Sequence, residues 1–556
     1  MPPSGLDRSC ANALPVRARA AARAPSRHRP AISRRASILI ALILVLIIVQ
    51  IAVIGVVSLG SKDHSLTKLR LEASQSEYAS EAGVNMALRE VYDGADEDGD
   101  GTIGSISAKT INGASVSVSA SVSGSTTTLT STAAAATAKR ATQLTITGGA
   151  STRVYTSQST NAAVYQTSKS GSSWSSPASS GSTNAQPVWI AAAAISTGKA
   201  IVAAMDTGAH LNIGAAGSTG TATYTDACSD LFGVGTRSFD VATDVAHAKG
   251  VIAYWNNSAT ALRYRTHDGT TLSGESNIAI TLAGGEHVET VRMNSRGTAS
   301  GIVMMVGTDA SALWGAVWTG SSWTSVSKLA TTLSTSSYGP FDACYEVASG
   351  DILAVYCDGS NNIVYRTYSG SWSSATTVGT SGYGFRWIRL ASRPGADDIS
   401  AVGLDSSGGL WAGRWNGSAW VAFTQIASGC AYSDRRLFDV CSTPDGTQTV
   451  IAYAINGSNI YYRTWSGSSW SGQTTGPNLG ATVMWVQLAQ GVSGTDVQCI
   501  ASTSARKLYY TSWTGSAFSS ATAIQNSLST EDDHERFAII PGSGSPTVTA
   551  WEQIAP

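Results

Sequence analysis

The sequence predicts an α+β N-terminal part, a long membrane-anchored helix plus a small antiparallel sheet, followed by an all-β propeller. Three observations carry that reading. Residues 38–59 form an unbroken apolar run in which Gln50 and Ser58 are the only polar side chains. All 16 Trp lie at or beyond Trp174, a step in composition that marks a domain boundary. From about residue 161 one hairpin phrase returns roughly every 49 residues, the mark of an array of small sheets. The implied divisions are 1–36 (basic leader), 37–92 (transmembrane and extended helix), 93–107 (acidic loop), 108–150 (small β head) and 151–556 (propeller).

A helix over 38–59 is roughly 30 Å long, which matches the hydrocarbon thickness of a bilayer. It has no polar face, so a membrane span is preferred over a soluble helix. The leader carries eight Arg against one acid, Asp7. An excess of basic residues keeps that end cytoplasmic and places the bulk of the chain outside. A cleaved secretory signal would have a shorter core followed by a small-x-small site. Here a long helical pattern continues instead, with Leu66, Leu69, Ala73, Ser76, Ser80, Val84, Leu88 and Val91 on one face. The whole chain has a net charge of −1, which gives no electrostatic footprint for nucleic acid.

The stretch resembles the N-terminal region of PilX-like type IV minor pilins and pseudopilins. The matching residues are Arg34-Arg35-Ala36-Ser37 before the apolar run, Ser61-Lys62-Asp63 after it, and Tyr78 through Asn85 (YASEAGVN) on the emerging helix. The resemblance spans residues 33–92. It implies that a prepilin peptidase cuts between Ala36 and Ser37, and that the mature helix inserts among other pilin subunits in a filament. Ala36 stands where Gly usually precedes the cut, and Ala41 where major pilins carry a Glu. A plain single-pass anchor is the alternative.

An acidic loop follows the helix. Asp96, Asp98 and Asp100 alternate, Gly101 takes a sharp-turn position and Thr102 a backbone-carbonyl position, as in an EF-hand loop. Alternate carboxylates on a turning backbone converge, and their repulsion favours a hard cation such as Ca2+. Ser107 stands where a bidentate Glu belongs, so Asp93 or a distant carboxylate would complete a site of modest affinity. The bland reading is an acidic turn that ends the helix. Beyond it, 114–124 (ASVSVSASVSG) and 141–147 (ATQLTIT) alternate apolar and polar residues, as half-buried strands do.

The repeated hairpin reads aromatic, Gly turn, Trp. It is clearest at Trp318-Gly320-Trp323, Tyr368-Gly370-Trp372, Trp415-Gly417-Trp420 and Trp465-Gly467-Trp470. Weaker copies centre on Gly171, Gly220, Gly269 and Gly515. In the repeat around Gly417, strands are expected at 387–390, 399–402, 410–412 and 420–423. Eight such units favour radial closure over an open sandwich array, because a ring leaves few bare edges. The first hairpin lacks a preceding strand pair, and the segment 537–553 offers one (FAII and TVTAWEQ). Two strands from each end would then complete an eighth blade; an extra strand at 152–156 would favour seven.

The hairpin Trp are expected as wedges between sheets, and Arg265, Arg366 and Arg463, each four residues before a turn Gly, as structural. The G-x-x-W turns are similar in part to sialidase Asp-boxes and fucose-lectin propellers, but most copies lack the Asp and no site residue carries over. There is no catalytic motif such as HExxH, GxSxG or a Walker loop. Two polar loops are the ligand candidates: Asp532, Asp533, His534 and Glu535, and Glu286, His287 and Glu289. The seven Cys show no metal spacing; buried free thiols compete with disulfides for the six beyond Cys10. The expectation is a non-enzymatic surface protein, anchored or pilus-associated, whose propeller binds a glycan or protein ligand. A tethered propeller glycosidase and an envelope scaffold are the alternatives.

Overall fold

The computed structural model describes residues 34–93, 98, 104–123, 126–147, 151–170, 173–196, 198–217, 221–297, 299–335, 337–430, 434–491, 494–530, 533–542 and 547–555. One helix, α1 (Arg34–Asp93), runs for 60 residues, roughly 90 Å at the rise of an α-helix. The chain divides into two compact units between Glu72 and Ala73. In the first, the apolar side chains from Leu42 to Leu59 are exposed. Among the described residues α1 is the one helix long and apolar enough to cross a membrane.

In the second unit, the outer part of α1 lies on a five-stranded antiparallel sheet. Four of its strands are consecutive: β1 (Ile106–Ile111), β2 (Ala114–Ser123), β3 (Thr126–Ala135) and β4 (Ala138–Thr147). The alternation expected in β2 is present, with Ala114, Val116 and Val118 buried between exposed Ser residues. The helix presents small residues to them: Ser76, Ala79, Ser80, Gly83, Val84 and Ala87 are buried. Of the expected stripe, Ser76, Ser80 and Val84 hold their places, whereas Leu66 and Leu69 are exposed. Close approach explains the shift. A Cβ on Gly83 would stand 2.5 Å from Val116 Cγ1, so the contact line follows the smallest side chains rather than the greasiest. Ser80 Oγ donates to Thr142 Oγ1 at 2.9 Å, tying helix to sheet.

The remaining strands form successive four-stranded antiparallel sheets, numbered here along the chain: first (187–228), second (239–278), third (288–330), fourth (341–380), fifth (385–427), sixth (438–478) and seventh (483–525). The fifth contains Phe385–Ser392, Asp398–Asp405, Leu410–Asn416 and Trp420–Ala427, at the places the repeat implies. Each sheet's opening strand neighbours that of the next.

The eighth sheet corrects the expected strand exchange. Phe537–Ile540 does open it, but its second strand is β5 (Arg153–Ser157), followed by β6 (Ala163–Ser170), on which β7 (Ser173–Trp174) and β8 (Ala178–Ser182) pair. One strand therefore comes from the end of the chain and the rest from its earlier part. Phe537–Ile540 also neighbours the opening strand of the first sheet. The other offered strand, Thr547–Ile554, pairs with β4 in the helix-backed sheet. The free edge of β4 is where the returning chain finds unsatisfied backbone groups. The array is thus inserted between two neighbouring strands of the smaller domain.

The sheets are coupled in pairs, a period of two that the hairpin repeat conceals. Val291 N donates to Arg237 O, Ile388 N to Gly339 O, Val486 N to Arg436 O and Ile190 N to Glu535 O, at 2.9–3.1 Å. In three pairs an Asp adds a second tie. Asp240 accepts from Met293 N, Asp342 from Leu390 N and Asp439 from Leu488 N, at 2.9–3.0 Å. In the pair of the eighth and first sheets, Ala538 stands in the Asp position. The hairpin residues behave as expected: Trp372 Nε1 donates to Ser325 O of the preceding sheet, and Arg265, Arg366 and Arg463 donate to the carbonyls of Ser273, Ser373 and Ser471. Cys228, Cys344, Cys357, Cys430, Cys441 and Cys499 are free and buried, so the apolar-filler reading of the thiols holds.

Candidate functional site

Residues in or just before the opening strands converge along the array's centre. Trp189, Tyr338 and Trp387 line a narrow cavity of about 40 Å³ together with Arg237, Arg292 and Arg389. A wider chamber of about 250 Å³ shares those three Arg and adds Arg436, Asp240, Asp342 and Asp439. Glu535 lines both. Four guanidinium groups and four carboxylates thus line one space.

Glu535 is the hub. Its side chain is 4 % exposed and pairs with Arg237 at 3.0 Å and closely with Arg436. Burial alone would raise its pKa, but Arg436, Arg237, Arg389 and Arg292 outweigh it and hold the carboxyl down at about 2. Arg436 is likewise buried, yet Asp439 and Glu535 keep its pKa above the usual guanidinium range. Asp342 is pushed the other way: burial raises its pKa, with Arg292 and Arg389 opposing. Arg389 is lowered by burial first and then by the like charges of Arg292 and Arg436.

The two expected ligand loops have different fates. Asp533 lines the narrower cavity, exposed and paired with Arg435, and Glu535 lines both cavities. His534 is buried edge-on against Trp189, at 5.0 Å between ring centroids. Asp532 lies outside the described residues. In the other loop, buried Glu286 accepts from Thr308 Oγ1 and Ala283 N, which makes it a loop fastener. His287 stacks on Phe232 and bonds Asp309. Glu289 is half-buried at the start of the third sheet. Sequence reasoning missed Arg237, Arg292, Arg389, Arg436 and Tyr338. The available signal was the pair Arg237-Ser-Phe239-Asp240 and Arg436-Leu-Phe438-Asp439, the same phrase in alternate sheets.

A second kind of concavity recurs between paired sheets. Between the fourth and fifth, Tyr365 and Trp415 wall a groove of about 420 Å³ with Glu346, Asp351 and Thr376 around it. Tyr365, Trp415 and Trp420 form a cluster with centroids 5.2–6.1 Å apart, and Trp415 Nε1 donates to Glu346 Oε1 at 2.6 Å. Tyr462, Trp513 and Phe518 repeat the cluster between the sixth and seventh sheets, beside a groove of about 480 Å³. Tyr264, Trp318 and Trp323 repeat it between the second and third.

Of the expected calcium ligands, Asp96, Asp100 and Thr102 lie outside the described residues, as does the side chain of Asp93. Asp98 Oδ2 accepts from Ser107 N at 2.8 Å. Buried Glu90, at the end of α1, accepts from Asp98 N and Gly104 N, so a helix carboxylate already fastens this loop. Among the described residues no group of three or more His, Cys, Asp or Glu is placed to hold a metal. Ala36 and Ser37 lie within the backbone span of α1.

No family model matches the chain, and no curated protein matches it. Solved structures similar to part of it include the BP39L lectin from Burkholderia pseudomallei, at 14 % identity and a TM-score of 0.47, covering 61 % of this chain and 99 % of that one. A fungal lectin from Aleuria aurantia, described as a six-bladed β-propeller with a novel mode of fucose recognition, is 13 % identical over 61 % of this chain and 96 % of its own, with a TM-score of 0.34. AofleA from Arthrobotrys oligospora is 12 % identical over 57 % of this chain and 91 % of its own, with a TM-score of 0.33.

Proposed function

We propose that this chain is a single-pass membrane protein that displays an eight-bladed propeller and binds glycans in the grooves between paired sheets. The observation that carries the reading is the groove in which Asp351 and Thr376 stand beside Tyr365 and Trp415. Aromatic rings offer flat apolar faces for the C–H side of a sugar, while carboxylates and hydroxyls beside them bond its O–H groups. A volume near 420 Å³ is of the size small-ligand sites occupy. The aromatic cluster recurs at two further pairs, which would give several weak sites on one molecule and gain from avidity. Eight blades are supported by the contact of Phe537–Ile540 with the first sheet.

The state of Glu535 counts against turnover in the central cavities. A carboxyl held at about 2 by paired guanidiniums is a poor general base and holds no proton to give near neutrality. The pilin-type insertion of α1 and a calcium ion in the acidic loop belong to this proposal on the strength of their sequence motifs. The test is a glycan array probed with the full chain in detergent, alongside Tyr365→Ala and Asp351→Ala. Retention of a defined glycan set, weakened at least tenfold in both variants, is expected. No retained glycan, or retention by both variants equal to the parent's, would overturn the reading.

A further inference from the structure

The channel holds guanidinium groups in two conditions. Arg237 and Arg436 are each clamped by Glu535 and by an Asp of their own strand region. Arg292 and Arg389 are not. Arg389 is 5 % exposed and gives one N–H to Ile388 O at 2.8 Å; no carboxylate among the described residues forms an ion pair with it. Among the described residues, Arg292 comes no nearer to a carboxylate than 3.9 Å, at Asp240 Oδ2, beyond hydrogen-bond reach. Asp342 is close enough to feel both charges. However, its Oδ1 accepts from Asn294 Nδ2 and Ala343 N, and its Oδ2 accepts from Leu390 N.

A buried charge is costly unless something compensates it, and here Asp240, Asp342 and Asp439 offset these charges only from beyond hydrogen-bond reach. Both guanidiniums face the two cavities of about 40 and 250 Å³. Thr290 and Ser337 bring hydroxyls to the narrower one, and Trp387 lies under Arg389 at 6.0 Å. A guanidinium presents a planar fork of donors that matches the oxygen pair of a carboxylate, sulfate or phosphate. We propose that Arg389 and Arg292 bind a small oxyanion at the channel mouth. The anion is either a free inorganic ion or the acidic group of a charged sugar. This site is distinct from the inter-sheet grooves and stands or falls without them.

The test titrates the full chain in non-ionic detergent with sulfate, glucuronate and glucose at constant ionic strength, reading tryptophan fluorescence and Tm. Trp387 and Trp189 line the site, so occupancy should alter emission. A saturable response to sulfate, to glucuronate or to both is expected, with none to glucose, and at least tenfold weakening in Arg389→Met. A response to glucuronate alone assigns the anion to a sugar; a response to sulfate, alone or with glucuronate, assigns it to a free oxyanion. Should Arg389→Met fail to fold, Arg292→Met, at a less enclosed position, carries the same expectation. No saturable response to either anion, or an unchanged response in the folded variants, would overturn the proposal.

Discussion

Replacing Glu535 with Gln would remove the charge that holds two buried guanidiniums together while keeping the side chain's shape. Its carboxyl sits at about 2 in the folded chain against an ordinary value of 4.5. A tenfold change in proton affinity corresponds to about 1.4 kcal/mol, so the ionised form contributes on the order of 3 kcal/mol. Breaking a buried pair by removing one partner costs about 3–5 kcal/mol by a separate route, and the two figures agree. Because the folded-state pKa is depressed, this stability is fully present above about pH 4.5 and fades as pH falls through about 2. Urea unfolding of the full chain at pH 7 should therefore place Glu535→Gln about 3 kcal/mol below the parent, with the gap closing toward pH 2. A gap under about 1 kcal/mol at pH 7, or one of constant size down to pH 2, would refute the reasoning.

Gly83→Ala should destabilise the helix-backed sheet by about 1–3 kcal/mol, although Ala is the better helix former, because the new Cβ meets Val116 and Ser131 at 2.5–2.6 Å. A thermal melt that shows a gain would mean the helix sits farther from β2. The six buried thiols should resist an aromatic disulfide reagent in the native chain and all react after denaturation; burial pushes Cys228 up to about 11 and Cys430 to about 12. Rapid native labelling, or loss of titratable thiol without reductant, would contradict the packing. Calcium at millimolar concentration should raise the Tm of the helix-backed domain, and Asp98→Asn should remove that rise. No shift in the parent would leave the acidic loop fastened by protein carboxylates alone, Glu90 first among them.

Much of this protein was legible because its signals are local. An apolar run, a two-residue alternation and a Gly turn flanked by aromatics each act within a few residues, so chain order alone displays them. The pilin resemblance and the acidic-loop motif are local signals too, and they belong to the proposal. Two features were not local. Thr547–Ile554 carries no local signal for its partner, and only the bare edge of β4 decides which sheet it joins. The channel draws on Arg237, Arg292, Arg389, Arg436 and Glu535, each from or just before the opening strand of a different sheet.

The sequence by itself determined that a basic leader and a greasy helix come first, and that a long polar array of repeated hairpins follows. It also placed the four strands of the repeat around Gly417. What only the tertiary structure decided is which of those openings face one another, because packing sheet against sheet sets positions far apart in the chain side by side. Charge compensation is a property of that assembled array: Glu535 satisfies Arg237 and Arg436, while Arg292 and Arg389 line the cavity with no carboxylate within hydrogen-bond reach among the described residues. No spacing along the chain encodes that difference.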